Sequence, residues 1–176
     1  MAGNLLPLEA DGPHEGIPAD RRIFDPLIGS WALDVTWYEG DAVARREQGE
    51  WHFAWVLEGR AVQDVWIVPP RGRRAAEPDP YEYGTSLRFY DPAIDAWRST
   101  WVGPTQAAVR LFVARPTAGG GIVLDGTDDA GRRLRWSFAD IAADAFTWSN
   151  ATESAEEAGA WVVTQRFAAR RTAAAG

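Results

Sequence analysis

The chain has no cysteine and no lysine. The first absence excludes disulfides, thiolate nucleophiles and Cys-based metal sites. The second excludes Schiff-base chemistry, which needs a lysine amine. Histidine is nearly absent too. Only His14 and His52 are present, so a zinc site built without Cys is not expected. No apolar run reaches the roughly 18 residues of a spanning helix. The opening MAGNLLPLEADG lacks the basic region and long apolar stretch of a signal peptide. A cytoplasmic location and no membrane partner are therefore expected. Positive charge is in deficit: 18 basic residues against 25 acidic ones leave a formal net charge of −7. That weighs against non-specific nucleic-acid binding. No GxSxG, P-loop or dinucleotide fingerprint occurs. Asp125, Asp128 and Asp129 lie in LDGTDDAG, which lacks the calcium-loop spacing and its closing Glu. They read as a hairpin turn. No Ser–His–Asp constellation can be defended, and neither a cofactor nor a metal is expected.

What the chain has in excess is aromatic surface: ten Trp, seven Phe and four Tyr in 176 residues. An indole carries an N–H that wants a partner when buried. So many indoles in one domain predict an aromatic-packed core or an aromatic-lined cavity. Residues 1–19 hold Pro7, Pro13 and Pro18 and read as an irregular arm. A short helix follows, and Pro26 ends it or begins another turn. Short stretches rich in Val, Trp, Phe and Thr then recur, split by turn residues, at 31–38, 47–57, 60–68, 83–90, 96–102, 107–115, 121–126, 132–139, 145–151 and 160–169. Residues 69–80, with four Pro and three Arg, read as an exposed loop over one end. Short links favour antiparallel neighbours. The expected fold is all-β: a closed antiparallel up-and-down barrel of about 8–10 strands with a short N-terminal helix at one end. A sandwich is the alternative. The barrel domain is placed at 20–171 and a disordered tail at 172–176.

The stretch GEWHFAWVLEGRAVQDVW, residues 49–66, carries the most information. A two-residue turn at Glu58-Gly59 sets Trp55 opposite Val62, Phe53 opposite Asp64 and Trp51 opposite Trp66. One face then holds these aromatics together with Arg60 and Asp64, and it is the expected interior. Buried charge needs a partner. Arginines on other strands, Arg88 among them, can supply one. A register-fixing ion network and a polar anchor in an apolar pocket are both open. Glu50 and His52 share the opposite face as an acid–base pair or a solvated one.

In YGTSLRFYDPAIDAWRSTW, Gly84, Ser86, Arg88 and Tyr90 share one face of the incoming strand. Trp97, Ser99 and Trp101 share one face of the outgoing strand. The turn length leaves open whether the two sets meet.

The run Phe24-Asp25-Pro26-Leu27-Ile28-Gly29-Ser30-Trp31 resembles the G-x-W entry of lipocalin-like, calycin-superfamily barrels. With LEGRAVQDVW and the Tyr83–Trp101 stretch, residues 22–171 are similar to poorly characterised bacterial lipocalin-like domains. The resemblance implies a closed barrel around a cavity, with an Arg from a late strand packed across Trp31; Arg166, Arg170 and Arg171 qualify. A haem-binding branch uses a late-strand His, and none follows position 52 here. Other branches act as cyclases or isomerases.

The first expectation is a protein that binds a small, mostly apolar or aromatic molecule. Trp51, Phe53, Trp55, Trp66, Tyr90, Trp97, Trp101, Trp136 and Trp148 are the expected wall. Arg60, Asp64 and Arg88 are the expected polar or catalytic groups. The second is a cofactor-independent cyclase or isomerase of secondary metabolism in the same cavity, with Asp64 moving a proton. The third is a structural barrel with no cavity. A homodimer is left open.

Overall fold

The computed structural model describes residues 8–73 and 81–172. Ten strands follow one another: β1 (Gly29–Glu39), β2 (Ala42–Val56), β3 (Ala61–Val68), β4 (Glu82–Asp91), β5 (Ala96–Gly103), β6 (Ala108–Pro116), β7 (Ile122–Thr127), β8 (Arg133–Ala139), β9 (Ala145–Glu153) and β10 (Trp161–Arg171). Each pairs antiparallel with its sequence neighbours. β1 also pairs with β10 and closes the ring, Trp31 lying opposite Arg171. The expected all-β, up-and-down closed barrel is therefore the fold. Closure leaves no open edge. Residues 74–80 of the expected loop and 173–176 of the expected tail lie outside the described residues. Among the described residues, no helix is long and apolar enough to cross a membrane.

The expected N-terminal helix is a correction. Two single 3-10 turns stand in its place, Ala19–Arg21 and Asp25–Leu27. Pro26 has no N–H to return to Arg22, so an α-helix cannot run through this segment. The two turns nonetheless cap the barrel end, and indoles tie them on. Trp97 Nε1 donates to the Arg21 carbonyl at 2.7 Å, Trp31 Nε1 to the Leu27 carbonyl at 2.7 Å, and Trp55 Nε1 to Asp25 Oδ1 at 3.1 Å. Arg171 is the late-strand arginine across the entry tryptophan, with Cζ 4.1 Å from the Trp31 ring.

Strand alternation puts aromatic side chains inside. At the capped end they interlock into a solid plug: the Phe24 ring centroid lies 5.1 Å from Trp97, Trp31 4.6 Å from Phe146, and Trp51 5.5 Å from Phe138. The N-terminal residues run along the same end. Ala10 bridges to Trp55, and the His14 N–H donates to the Gly59 carbonyl at 2.9 Å.

Candidate functional site

Among the described residues, nothing plugs the opposite end of the barrel. A pocket of about 390 Å3 lies there, walled by Trp66, Trp101, Trp136 and Trp148, with Glu82, Arg110, Asn150 and Gln165 among its polar residues. Local glycines make room for it. A Cβ on Gly84 would come within 2.9 Å of Trp101 Nε1, and one on Gly103 within 2.1 Å of the same ring. Small residues on β4 and β5 thus let the Trp101 indole lie against the wall. Trp136 Nε1 donates to Asn150 Oδ1 at 3.1 Å. The indole N–H groups of Trp66, Trp101 and Trp148 are buried and have no hydrogen-bond partner, and neither has Arg110 Nη1. Arg110 Nη1 lies 3.3 Å from Asp129 Oδ1, within ion-pair range but outside hydrogen-bond geometry. Every one of these four orphaned groups is a donor.

Glu82 sits among them. Burial pushes its carboxyl above the usual range, while N–H donation from Gln165 and Trp37 pulls the other way. Those hydrogen bonds are long, 3.4 Å from Gln165 Nε2 and 3.3 Å from Trp37 Nε1. The Trp66 N–H also favours the carboxylate electrostatically, yet its placement falls short of a hydrogen bond. Neither Glu82 nor Arg110 stood out in the sequence. Glu82 opens β4, one residue before the strand read from the sequence, and Arg110 shares the inward face of β6 with Ala108 and Phe112, a pattern that marks a face and not a site.

The other expected wall residues are placed elsewhere. Trp51, Phe53, Trp55 and Trp97 are buried in the plug or at its rim and do not line the mouth pocket. A barrel interior this narrow fills with side chains when every inward position is aromatic. Tyr90 shares the inward face of β4 with Arg88 and is half-buried against the core at the capped rim, its hydroxyl donating to Asp95 Oδ1 at 2.7 Å.

The expected polar groups also separate. Asp64 and Arg88 are both inside, 2 % and 0 % exposed, with Nη1 2.5 Å from Oδ2. The angle is not that of a hydrogen bond, so the guanidinium nitrogens remain without one. Asp64 Oδ1 accepts from the Ser86 N–H at 3.0 Å. Arg88 lies over Phe24, Cζ 5.1 Å from the ring centroid. Across the next pair Arg88 faces Ser99, Tyr90 faces Trp97 and Ser86 faces Trp101, so the two sets left unpaired by the sequence do meet. This ion pair lies at the plug and does not line the mouth pocket.

Arg60 is a correction. It is exposed, and Nη1 pairs with Glu58 Oε2 at 2.6 Å. The turn takes four residues, 57–60, instead of two, with Leu57, Glu58 and Gly59 all at positive φ. Adding one residue on each side keeps the register but lifts Arg60 out of the strand. The pairs Trp51–Trp66, Phe53–Asp64 and Trp55–Val62 are those expected.

On the outer wall, His52 contacts Ser30 Oγ through Nδ1 at 2.9 Å and Glu50 Oε2 through Nε2 at 3.0 Å. No Ser–His–acid set was legible in the sequence. Only the β1–β2 register brings Ser30 to His52. Among the described residues no cluster of His, Cys, Asp and Glu could hold a metal ion.

No family model matches the chain, and no curated protein does. Solved structures do. The S-type phycobiliprotein lyase CpeS from Guillardia theta aligns over 90% of this chain and 96% of its own, with a TM-score of 0.56 and 10% identity. Rv2717c from M. tuberculosis aligns over 89% of this chain and 99% of its own, with a TM-score of 0.57 and 14% identity. At such identities the likeness is one of fold alone. The chain is a ten-stranded, lipocalin-like barrel.

Proposed function

We propose that this protein binds a small, mostly apolar or aromatic molecule in the mouth pocket. The observation that carries the reading is the pairing of a tryptophan-walled pocket of about 390 Å3 with three buried indole N–H groups that have no partner. An apolar wall with a few convergent polar groups is the usual layout of a small-molecule site. A buried donor left unpaired costs about 1–3 kcal/mol. A ligand oxygen that accepts from one of them recovers that cost, so a flat molecule bearing carbonyl or carboxylate oxygens fits better than a bare hydrocarbon. Residues 20–171 act as one binding domain, and of the 1–19 arm the described residues 8–19 run against its capped end. Nothing in the single chain favours a homodimer.

A second reading is a cofactor-independent cyclase or isomerase acting on the same ligand. Glu82 favours it, because burial raises its carboxyl above the usual range and a carboxyl in a pocket can take up or give a proton. One of the two similar barrels is described as a lyase, which suits either reading. Asp64 and Arg88 are set apart from the pocket and belong to neither.

The test is intrinsic tryptophan fluorescence titrated with aromatic carboxylates, polyketide fragments and haem. Saturable quenching that disappears in Ala108→Trp, which fills the pocket from β6, supports binding at the mouth. Unchanged titration in that variant, with its fold intact, places any binding elsewhere. Turnover of a bound compound, lost in Glu82→Gln while binding persists, selects the enzyme.

A further inference from the structure

The outer wall where β10, β1 and β2 run side by side carries a second arrangement, independent of the mouth pocket. Ser30 and His52 lie opposite one another in the β1–β2 register, and such partners share a face. Glu50 is two residues along β2 on that same face. Arg71, from the loop after β3, grips Glu50. Its backbone N–H, Nε and Nη2 donate to the two carboxylate oxygens at 2.8, 2.9 and 3.0 Å.

These contacts fix where the protons sit. The Arg71 side chain holds the Glu50 carboxyl down to about 2, so Glu50 is an ionised acceptor. In the neutral imidazole the nitrogen facing that carboxylate, Nε2, carries the proton and donates it. Nδ1 is then the bare lone pair, and the Ser30 hydroxyl donates to it. Arg71 Nη2 also approaches Nε2, but at 3.5 Å it is too distant to compete with Glu50 at 3.0 Å. A hydroxyl thus points its proton at a base that a carboxylate orients, which is the order of groups that activates a serine.

The surroundings give such a serine room. A cleft of about 450 Å3 runs beside it, with Glu50, His52, Pro70, Arg170 and Thr172 among its walls. Ser30 precedes Trp31 of the cleft wall, and Thr172, another wall residue, donates its N–H to the Ser30 carbonyl at 2.9 Å. The His52 side chain is 34% exposed, enough for a small substrate to reach it. Arg170 lies opposite Ala32 across the β1–β10 pair. That is one diagonal step from Ser30, a span that a long side chain covers.

We propose that Ser30, His52 and Glu50 form an acyl-transfer site on the outer wall that hydrolyses esters of small apolar acids. Ser30 Oγ bonds to the ester carbonyl carbon as its proton passes to His52 Nδ1. The tetrahedral adduct breaks its bond to the alkoxide, which leaves as the alcohol with that proton. Water attacks the acyl-serine carbon and gives a proton to Nδ1. Oγ leaves and takes the proton back. One ester and one water give one acid and one alcohol, and no other reactant is needed. Arg170 stabilises the oxygen that gains negative charge. Glu50 is a positioning residue, acting through His52.

The native full-length chain is treated with a fluorophosphonate probe and the labelled peptide is sited by mass spectrometry, alongside hydrolysis of 4-nitrophenyl acetate. The expected label is on Ser30 and is lost when the chain is first unfolded. Ser30→Ala abolishes that label and the hydrolysis. His52→Ala slows both by about a hundredfold or more, the scale of general-base assistance, and added imidazole restores part of the rate. Glu50→Gln lowers kcat with KM unchanged, as a group acting through His52 should. A Ser30 left unlabelled in the native chain overturns the proposal. So does a label that survives unfolding, or hydrolysis that is the same in Ser30→Ala.

Discussion

Asp64 and Arg88 hold each other inside an aromatic plug, and the cost of separating them is readable. Removing one partner leaves the other charge buried and uncompensated, typically about 3–5 kcal/mol. Asp64→Ala is therefore expected to lower Tm by several degrees, measured by calorimetry. Replacing the pair together, as Asp64→Leu with Arg88→Met, should restore most of the loss, because packed apolar groups of similar volume replace an ion pair with little penalty. A second residue-scale outcome concerns Glu82. Burial raises its carboxyl in the folded state. Between the unfolded value and that raised value the folded chain binds more protons, so this group's effect on stability worsens as pH rises through that window. Glu82→Gln should thus raise Tm at neutral pH. The gain should vanish in acid below the unfolded value, where the wild-type carboxyl is also uncharged. Glu50 has the opposite sign. Its stability is present above the ordinary value of 4.5 and is lost as pH falls through about 2. As pH falls the Glu82 penalty is relieved while the Glu50 contribution is lost, so acid unfolding should track the loss of the Arg71 contact and begin at about the same pH in wild type and Glu82→Gln.

At the scale of elements, the entry to β1 is held by its contact with the end of β10. Arg171 stacks on Trp31 and donates to the Ile28, Pro26 and Ala143 carbonyls at 2.7, 2.9 and 2.6 Å. Gly29 has φ +122°, and a Cβ there would sit 2.6 Å from Arg171 Nη1. Arg171→Ala should cost about 1–3 kcal/mol by loss of charged hydrogen bonds, discounted toward the lower figure because the side chain is exposed. Gly29→Ala should do comparable damage through strain and displacement. The double variant should fall short of the sum in denaturant titrations, since both act on one contact. The same elements show what could be read beforehand. Period-two alternation and turn residues located the strands, and the hairpin register followed because Trp51, Phe53, Trp55 and Trp66 need one buried face. Arg60 was misplaced because alternation reports a face and not where a strand stops. The plug and the pocket share one inward pattern, so alternation could not tell Trp51 from Trp136. Their difference lies in height along the barrel, fixed by stagger among strands far apart in sequence. Ser30 beside His52 was hidden for a related reason: only the β1–β2 register joins them.

At the scale of the whole molecule, the described residues fill one end of the barrel and leave a pocket at the other. Changes at the two ends should therefore have different readouts. Ala108→Trp at the mouth should remove ligand response and leave the melting curve near wild type. Phe138→Ala in the plug should cost about 3–5 kcal/mol and leave ligand response intact below its new Tm. Calorimetry and fluorescence titration on the same two variants check both halves.

The seam between β1 and β10 has a further consequence. Every other pairing joins strands adjacent in sequence and can form locally, whereas this one must bring the two ends of the chain together. Until it does, the folding chain is a curved ribbon with two bare edges. Non-local closure is the slow event, and a bare edge can take a strand from another chain. Refolding at high protein concentration should thus yield exchanged dimers in which β1 of one chain completes the ring of another. Arg171→Ala, which loosens the latch at that seam, should increase their share.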